Sequence, residues 1–157
     1  MAISYIVSLE ELAVLANITS TDYFKGLPAL PTIDRKRYAK LLGILDTKGI
    51  VKINKNVGTV HVDMVVRFII STMAKPELVI STAKEVTGFC AKHLGVVVSP
   101  DKRAKDRFLI TALPDANAMA EKLWEYLAVE EPALSKADLQ KKISEVYVIN
   151  QSLEATT

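Results

Sequence analysis

Cys90 and His93 stand three residues apart, a spacing that would place thiol and imidazole on one helix face and allow a nucleophile beside a base. It is the smallest catalytic unit the chain could assemble. A zinc site asks for about four ligands, and beyond this pair the sequence offers only His61 as a further histidine and no second cysteine. No G-x-S-x-G, H-E-x-x-H, P-loop or G-x-G-x-x-G pattern occurs, so the common cradles for acyl and phosphoryl chemistry are missing. A free cysteine is most often a small buried hydrophobe. The expectation is a chain that is not an enzyme, with no catalytic residue, no metal and no cofactor.

Charge gives a second set of candidates. Between Asp34 and Lys55, seven cations (Arg35, Lys36, Arg37, Lys40, Lys48, Lys52 and Lys55) face two acids, Asp34 and Asp46, an excess of +5. A basic helix followed by a two-stranded hairpin is what a winged-helix DNA reader presents, and a DNA-binding regulator is the alternative reading. Against it stands the segment Asn17 to Pro31, whose Gly26, Pro28 and Pro31 do not provide the short turn of a helix-turn-helix. Nucleic acid is therefore not the expected partner.

A further basic cluster, Lys102, Arg103 and Lys105 followed by Arg107, falls at the tip of an expected hairpin. Loops held by rigid strands often carry contacts, and this one would suit an acidic or polar partner. Near the end of the chain Leu139, Ile143 and Val146 form a narrow apolar stripe, open to packing on the domain, on a second copy or on a client helix. These seven residues, Lys102, Arg103, Lys105, Arg107, Leu139, Ile143 and Val146, are the expected partner-binding set.

The elements that must position them can be read from spacing. Ser8 with Glu11 is a capping box, opening a helix from about Leu9 to Ala16. The Gly- and Pro-containing stretch after it carries Tyr23, Phe24, Leu27 and Leu30, too apolar for a free linker, and is expected to lie over the core. Tyr38, Leu41, Leu42 and Leu45 mark a second helix face, closed by Gly49. Ile50 to Ile53 and Thr59 to Val62 then form a small hairpin around Asn54 to Gly58. Val62, Val65, Val66, Ile69, Ile70 and Met73 line what should be the most buried helix, stopped by Pro76.

Glu77 to Gly95 fits either helix or strand and is read as strands. Val96 to Val98 and Arg107 to Ala112 should pair as an antiparallel hairpin. Ala116, Met119, Ala120, Leu123, Trp124 and Leu127 share a helix face, and Ser135 with Asp138 caps a last helix. The fold class is α+β, an antiparallel sheet flanked by helices with an N-terminal helix and small-hairpin portion. Residues 1–150 form one expected domain and 151–157 a flexible tail.

Composition agrees. The chain has 157 residues, 50% of them hydrophobic and 24% charged, values that exclude a disordered or collagen-like chain. A net charge of +2 announces no nucleic-acid or membrane partner by itself. The lone cysteine rules out an internal disulfide framework, and the opening MAISYIVSLEEL has no secretory-signal pattern, so a cytoplasmic location is expected.

The order of these signals resembles the EspG-like chaperones of bacterial type VII secretion. The segments that carry it are SLEELAVLA from Ser8 to Ala16, LPALP from Leu27 to Pro31, YAKLLGILDTKGIV from Tyr38 to Val51 and VDMVVRFIISTMAKP from Val62 to Pro76. Val96 to Leu127 resembles the strand-and-helix half that follows in that family. The resemblance implies a cytosolic chaperone or adaptor that recognises a helical secretion substrate and keeps it soluble before export. It places client contacts on Val96 to Ala112 and Leu134 to Ile149. Larger members contain two similar halves and this chain has length for one, so the resemblance also implies a homodimer that buries strand edges.

Overall fold

The computed structural model describes residues 3–82, 85–92, 94–104, 106–130 and 135–156, without the side chains of 128–130 and 147–156. His93, Lys105 and Leu134, named above, lie outside the described residues. The chain runs β1 (Ile3–Ser8), α1 (Leu9–Ile18), α2 (Arg35–Thr47), β2 (Val51–Asn54), β3 (Thr59–Val62) and α3 (Met64–Ala74). It continues through β4 (Leu78–Ser81), β5 (Thr87–Cys90), β6 (Gly95–Pro100), β7 (Arg107–Leu113), α4 (Ala116–Glu130) and α5 (Lys136–Thr156). The α+β class read from the sequence is the observed one. Among the described residues no helix is long and apolar enough to cross a membrane.

Five strands form one antiparallel sheet in the order β1-β7-β6-β5-β4, and β2 with β3 forms a separate two-stranded one. β1 has no counterpart in the sequence reading. Its partner is β7, with Ile3 opposite Ala112 and Ser8 opposite Arg107, so a strand at the start of the chain is completed from far along it. The pairing of β6 with β7, and the strands β4 and β5, agree with the expectation.

Alternation along the strands sends side chains to two faces, each with its own core. Val7, Phe89, Val96, Val98, Phe108 and Ile110 point to one face and pack with α1, α2, α3 and the small hairpin. Cys90, Val97 and Leu113 point to the other and meet Met119, Leu123 and Leu127 of α4, which in turn packs against α5. Each large apolar side chain fully enclosed in this way contributes about 1.5–3 kcal/mol. The sheet is the middle layer of three.

Gly88 explains how α4 sits so close. A Cβ built there would lie 2.8 Å from Leu123 Cδ1 and 3.0 Å from Met119 Cε, so the missing side chain is a notch into which α4 fits.

Local chemistry sets the helix ends. Ser8 Oγ accepts from the Glu11 amide while Glu11 Oε1 accepts from the Ser8 amide, completing the capping box on α1. The Asp34 and Asp63 carboxylates accept amides at the starts of α2 and α3, one-sided caps without the reciprocal bond, and Gly49 follows α2 with a φ of +77°. The segment between α1 and α2 does lie over the core, with Phe24 buried and Leu27, Leu30 and Ile33 against it. α5 continues as helix through Thr156, beyond Gln151.

Among the described residues the most buried helix is α1, in which every residue from Glu11 to Ala16 is buried, and α3 is not. Its Met64 is 72% exposed, Phe68 59% and Val65 37%, because α3 meets the sheet on one side only and its N-terminal turns face solvent.

Candidate docking groove

At the end of the sheet where β6 turns into β7, one row of side chains crosses four strands. Ser99 stands opposite Leu109, Leu109 opposite Ile6, and Val86 precedes Thr87, the partner of Val98. The row lies on the α4 side. α4 covers the neighbouring row, where Leu123 enters the Gly88 notch, and one turn later Tyr126 stands as a wall beside this one. Floor, wall and the residues Pro100 to Arg103 enclose a groove of about 620 Å³.

The floor is largely apolar: Val86 is buried, Ile6, Leu109 and Tyr126 are half-buried, and Ser99 is the only polar side chain in the row. The rim is charged. Lys102 and Arg103 are exposed, and Arg103 donates from its backbone amide (3.1 Å) and its Nε (3.4 Å) to Asp101 Oδ1. The backbone bond first, then the guanidinium, holds the Asp101 carboxyl below its ordinary range, so it stays ionised and anchors the loop. Lys102 makes no such pair among the described residues and is an exposed residue of the groove lining. An apolar trough with a cationic lip suits an amphipathic segment with acidic flanks.

The expected partner-binding residues divide accordingly. Lys102 and Arg103 are on this rim, while Arg107, exposed at the start of β7, lines a second cavity of about 680 Å³ with Asp101, Asp106 and Phe108. Leu139, Ile143 and Val146 correct the expectation: they are 2%, 0% and 9% exposed, spent on the α4–α5 contact, and present no surface to a partner. An apolar stripe near a chain end is satisfied by the nearest apolar face, here α4. Lys136 adds an ion pair with Glu121 across the same two helices.

The groove floor was not legible in advance. Ile6 belongs to the unread strand, and Val86, Ser99 and Leu109 share a row only through register, which no local pattern encodes. Tyr126 was the one accessible signal, an aromatic one position off the apolar face of α4.

The other candidates resolve by geometry. Cys90 is buried, and burial pushes its thiol up to about 12, which keeps it protonated and a poor nucleophile. The basic stretch is partly neutralised in space: Arg37 bonds Glu10 through Nη2 (2.8 Å) and Nε (3.1 Å), and Lys48 bonds Glu11 (2.8 Å). Glu10 and Glu11 belong to α1, so four acids rather than two face the seven cations. The hydrogen bonds from Arg37 hold the Glu10 carboxyl below its usual range. α2 does precede the hairpin β2–β3, but residues 19–34 separate it from α1, with no helix between.

Compared with protein-family models and with the curated proteins, the chain matches none.

Proposed function

We propose that the protein is a binding protein, a chaperone or adaptor acting in the cytoplasm, and that it shelters an amphipathic helix of a protein bound for type VII secretion in the groove over Ile6, Val86, Ser99 and Leu109. The observation that carries the reading is the groove itself: a largely apolar row on the sheet, half-buried at Ile6 and Leu109, walled by Tyr126 and lipped by Lys102 and Arg103. An exposed apolar helix face aggregates unless covered, and a preformed apolar trough covers it without bond-making. The resemblance to EspG-like chaperones supplies the client class. Ser99 to Arg103 and Leu109, which line the groove, fall within Val96 to Ala112, where that resemblance implies client contacts.

Calorimetric titration of the purified chain with a helical-hairpin substrate of such a system tests it. Saturable binding that Leu109→Asp and Tyr126→Ala each weaken at least tenfold, with circular dichroism unchanged, is the expected result. Binding that ignores both substitutions, or steeply salt-dependent binding to duplex DNA in its place, overturns it.

A further inference from the structure

The five-stranded sheet ends in two edges, β1 and β4, and the fold treats them differently. On β1 the Leu9 amide donates to the Asp106 carbonyl (3.0 Å), continuing the register in which Ser8 faces Arg107. Antiparallel pairs alternate between bonded and unbonded positions, so Ser4, Ile6 and Ser8 turn their backbone groups outward. Two of those groups are closed from within the chain: the Ser8 amide donates to Glu11 Oε1 (3.1 Å), and Lys48 Nζ donates to the Ile6 carbonyl (3.1 Å).

On β4 the Thr82 amide donates to the Val86 carbonyl (3.0 Å), continuing the register in which Ser81 faces Thr87. By the same alternation Leu78 and Ile80 bond inward to β5, and the backbone groups of Val79 and Ser81 face outward. Among the described residues no side chain or loop bonds to them. The strand reads Leu78, Val79, Ile80, Ser81, the first three half-buried. It contains no charge and no proline, two of the devices by which edges are ordinarily closed.

We propose that β4 pairs antiparallel with β4 of a second copy of this chain, about a twofold axis through Ile80, joining two sheets into one. The outward groups sit symmetrically about Ile80, so this axis sets Val79 against Ser81 of the second copy and Ser81 against its Val79, each pair exchanging two N–H···O=C bonds. Charge follows the same symmetry. Lys25 lines a cavity of about 320 Å³ beside Glu77 and Val79 at the start of β4, and Glu85 lines the cavity beside Ser81 and Thr82 at its end. The twofold brings start against end, so Lys25 of each copy, with Glu77 beside it, approaches Glu85 of the other. Tyr23, 70% exposed beside Lys25, is covered by the same approach. The proposal does not rest on the docking groove, whose floor spans β5 to β1.

Sedimentation velocity on the full chain from micromolar to near-millimolar concentration reads the mass directly, and a concentration-dependent dimer is expected. Val79→Pro removes an outward amide while sparing the bonds to β5, and is expected to yield a folded monomer by circular dichroism. Residues facing each other across an unbonded antiparallel pair have Cα atoms about 4.5 Å apart, within reach of a disulfide. Ile80→Cys is therefore expected to cross-link with itself under mild oxidation. Val79→Cys is expected to do so only when mixed with Ser81→Cys chains. A monomer at every concentration, a dimer indifferent to Val79→Pro, or self-cross-linking of Val79→Cys overturns the proposal.

Discussion

Lys48 Nζ lies 2.8 Å from Glu11 Oε2 and 3.0 Å from Oε1, so a carboxylate that caps α1 is neutralised by the residue that ends α2. The residue Glu11 is only 5% exposed, and its carboxylate also accepts from the Ser8 amide. The ammonium donates its remaining bond to the Ile6 carbonyl. One ion pair thus joins the first strand, first helix and second helix.

Replacing Lys48 with Met leaves the Glu11 carboxylate enclosed without its cation and the Ile6 carbonyl without its donor. Loss of about 2 kcal/mol is expected, below the usual range for a fully buried pair because the Lys48 side chain is 37% exposed. Urea denaturation checks it, with the exposed Lys40→Ala staying within about 0.5 kcal/mol of the parent.

Gly88→Ala inserts a methyl group where Leu123 and Met119 already press. Overpacking of this kind costs about 1–3 kcal/mol, and the ends of flexible side chains can give way in part. Thermal unfolding should show the loss. Adding Leu123→Ala should make the two changes non-additive, since the second relieves the clash created by the first.

The Cys90 thiol predicts an alkaline weakness. Its folded pKa of about 12 stands above the ordinary 9.0, so the folded chain holds a proton that the unfolded chain releases. The stability from this group is complete below about pH 9 and is lost as pH rises toward 12, at up to about 1.4 kcal/mol per pH unit. Denaturation midpoints across pH 8 to 10.5 should fall, and Cys90→Ala should flatten that slope. Tyr5 and Tyr38, whose hydroxyls burial also pushes up, add a second decline above pH 10 that the substitution leaves in place. The native thiol should resist alkylation until the chain unfolds.

Reversing the groove lip separates steering from grip. Lys102→Glu is expected to slow association with an acidic helical client about tenfold at low salt and to matter little at high salt, with the dissociation rate nearly unchanged. Stopped-flow mixing over a salt series measures both rates.

What the sequence disclosed follows the range of the interactions involved. Ser8 with Glu11, Asp34, Gly49 and the helical stripe of Leu41 and Leu45 act within a turn or two, and their elements stand where spacing puts them. The hairpin of β6 and β7 is also local. β1 escaped because its alternation is short, runs straight into a capping box, and needs Ala112 to Arg107 for completion. Lys48 looked like one more cation on a basic surface, since nothing in its neighbourhood names Glu11 as its partner. The stripe of Leu139, Ile143 and Val146 was visible, but a stripe shows that a face will be covered without saying by what. The groove combines both difficulties: its floor comes from register across four strands, and its wall from the height at which α4 is seated.

That height rests on Gly88. Leu123 drops into the gap left by this residue, and Tyr126 is carried on the next turn of the same helix, so the opening above Ile6 and Leu109 is gauged by an atom that is not there, in the row that α4 covers. Chains that differ in what they admit could therefore diverge at this buried position while every lining residue stays the same.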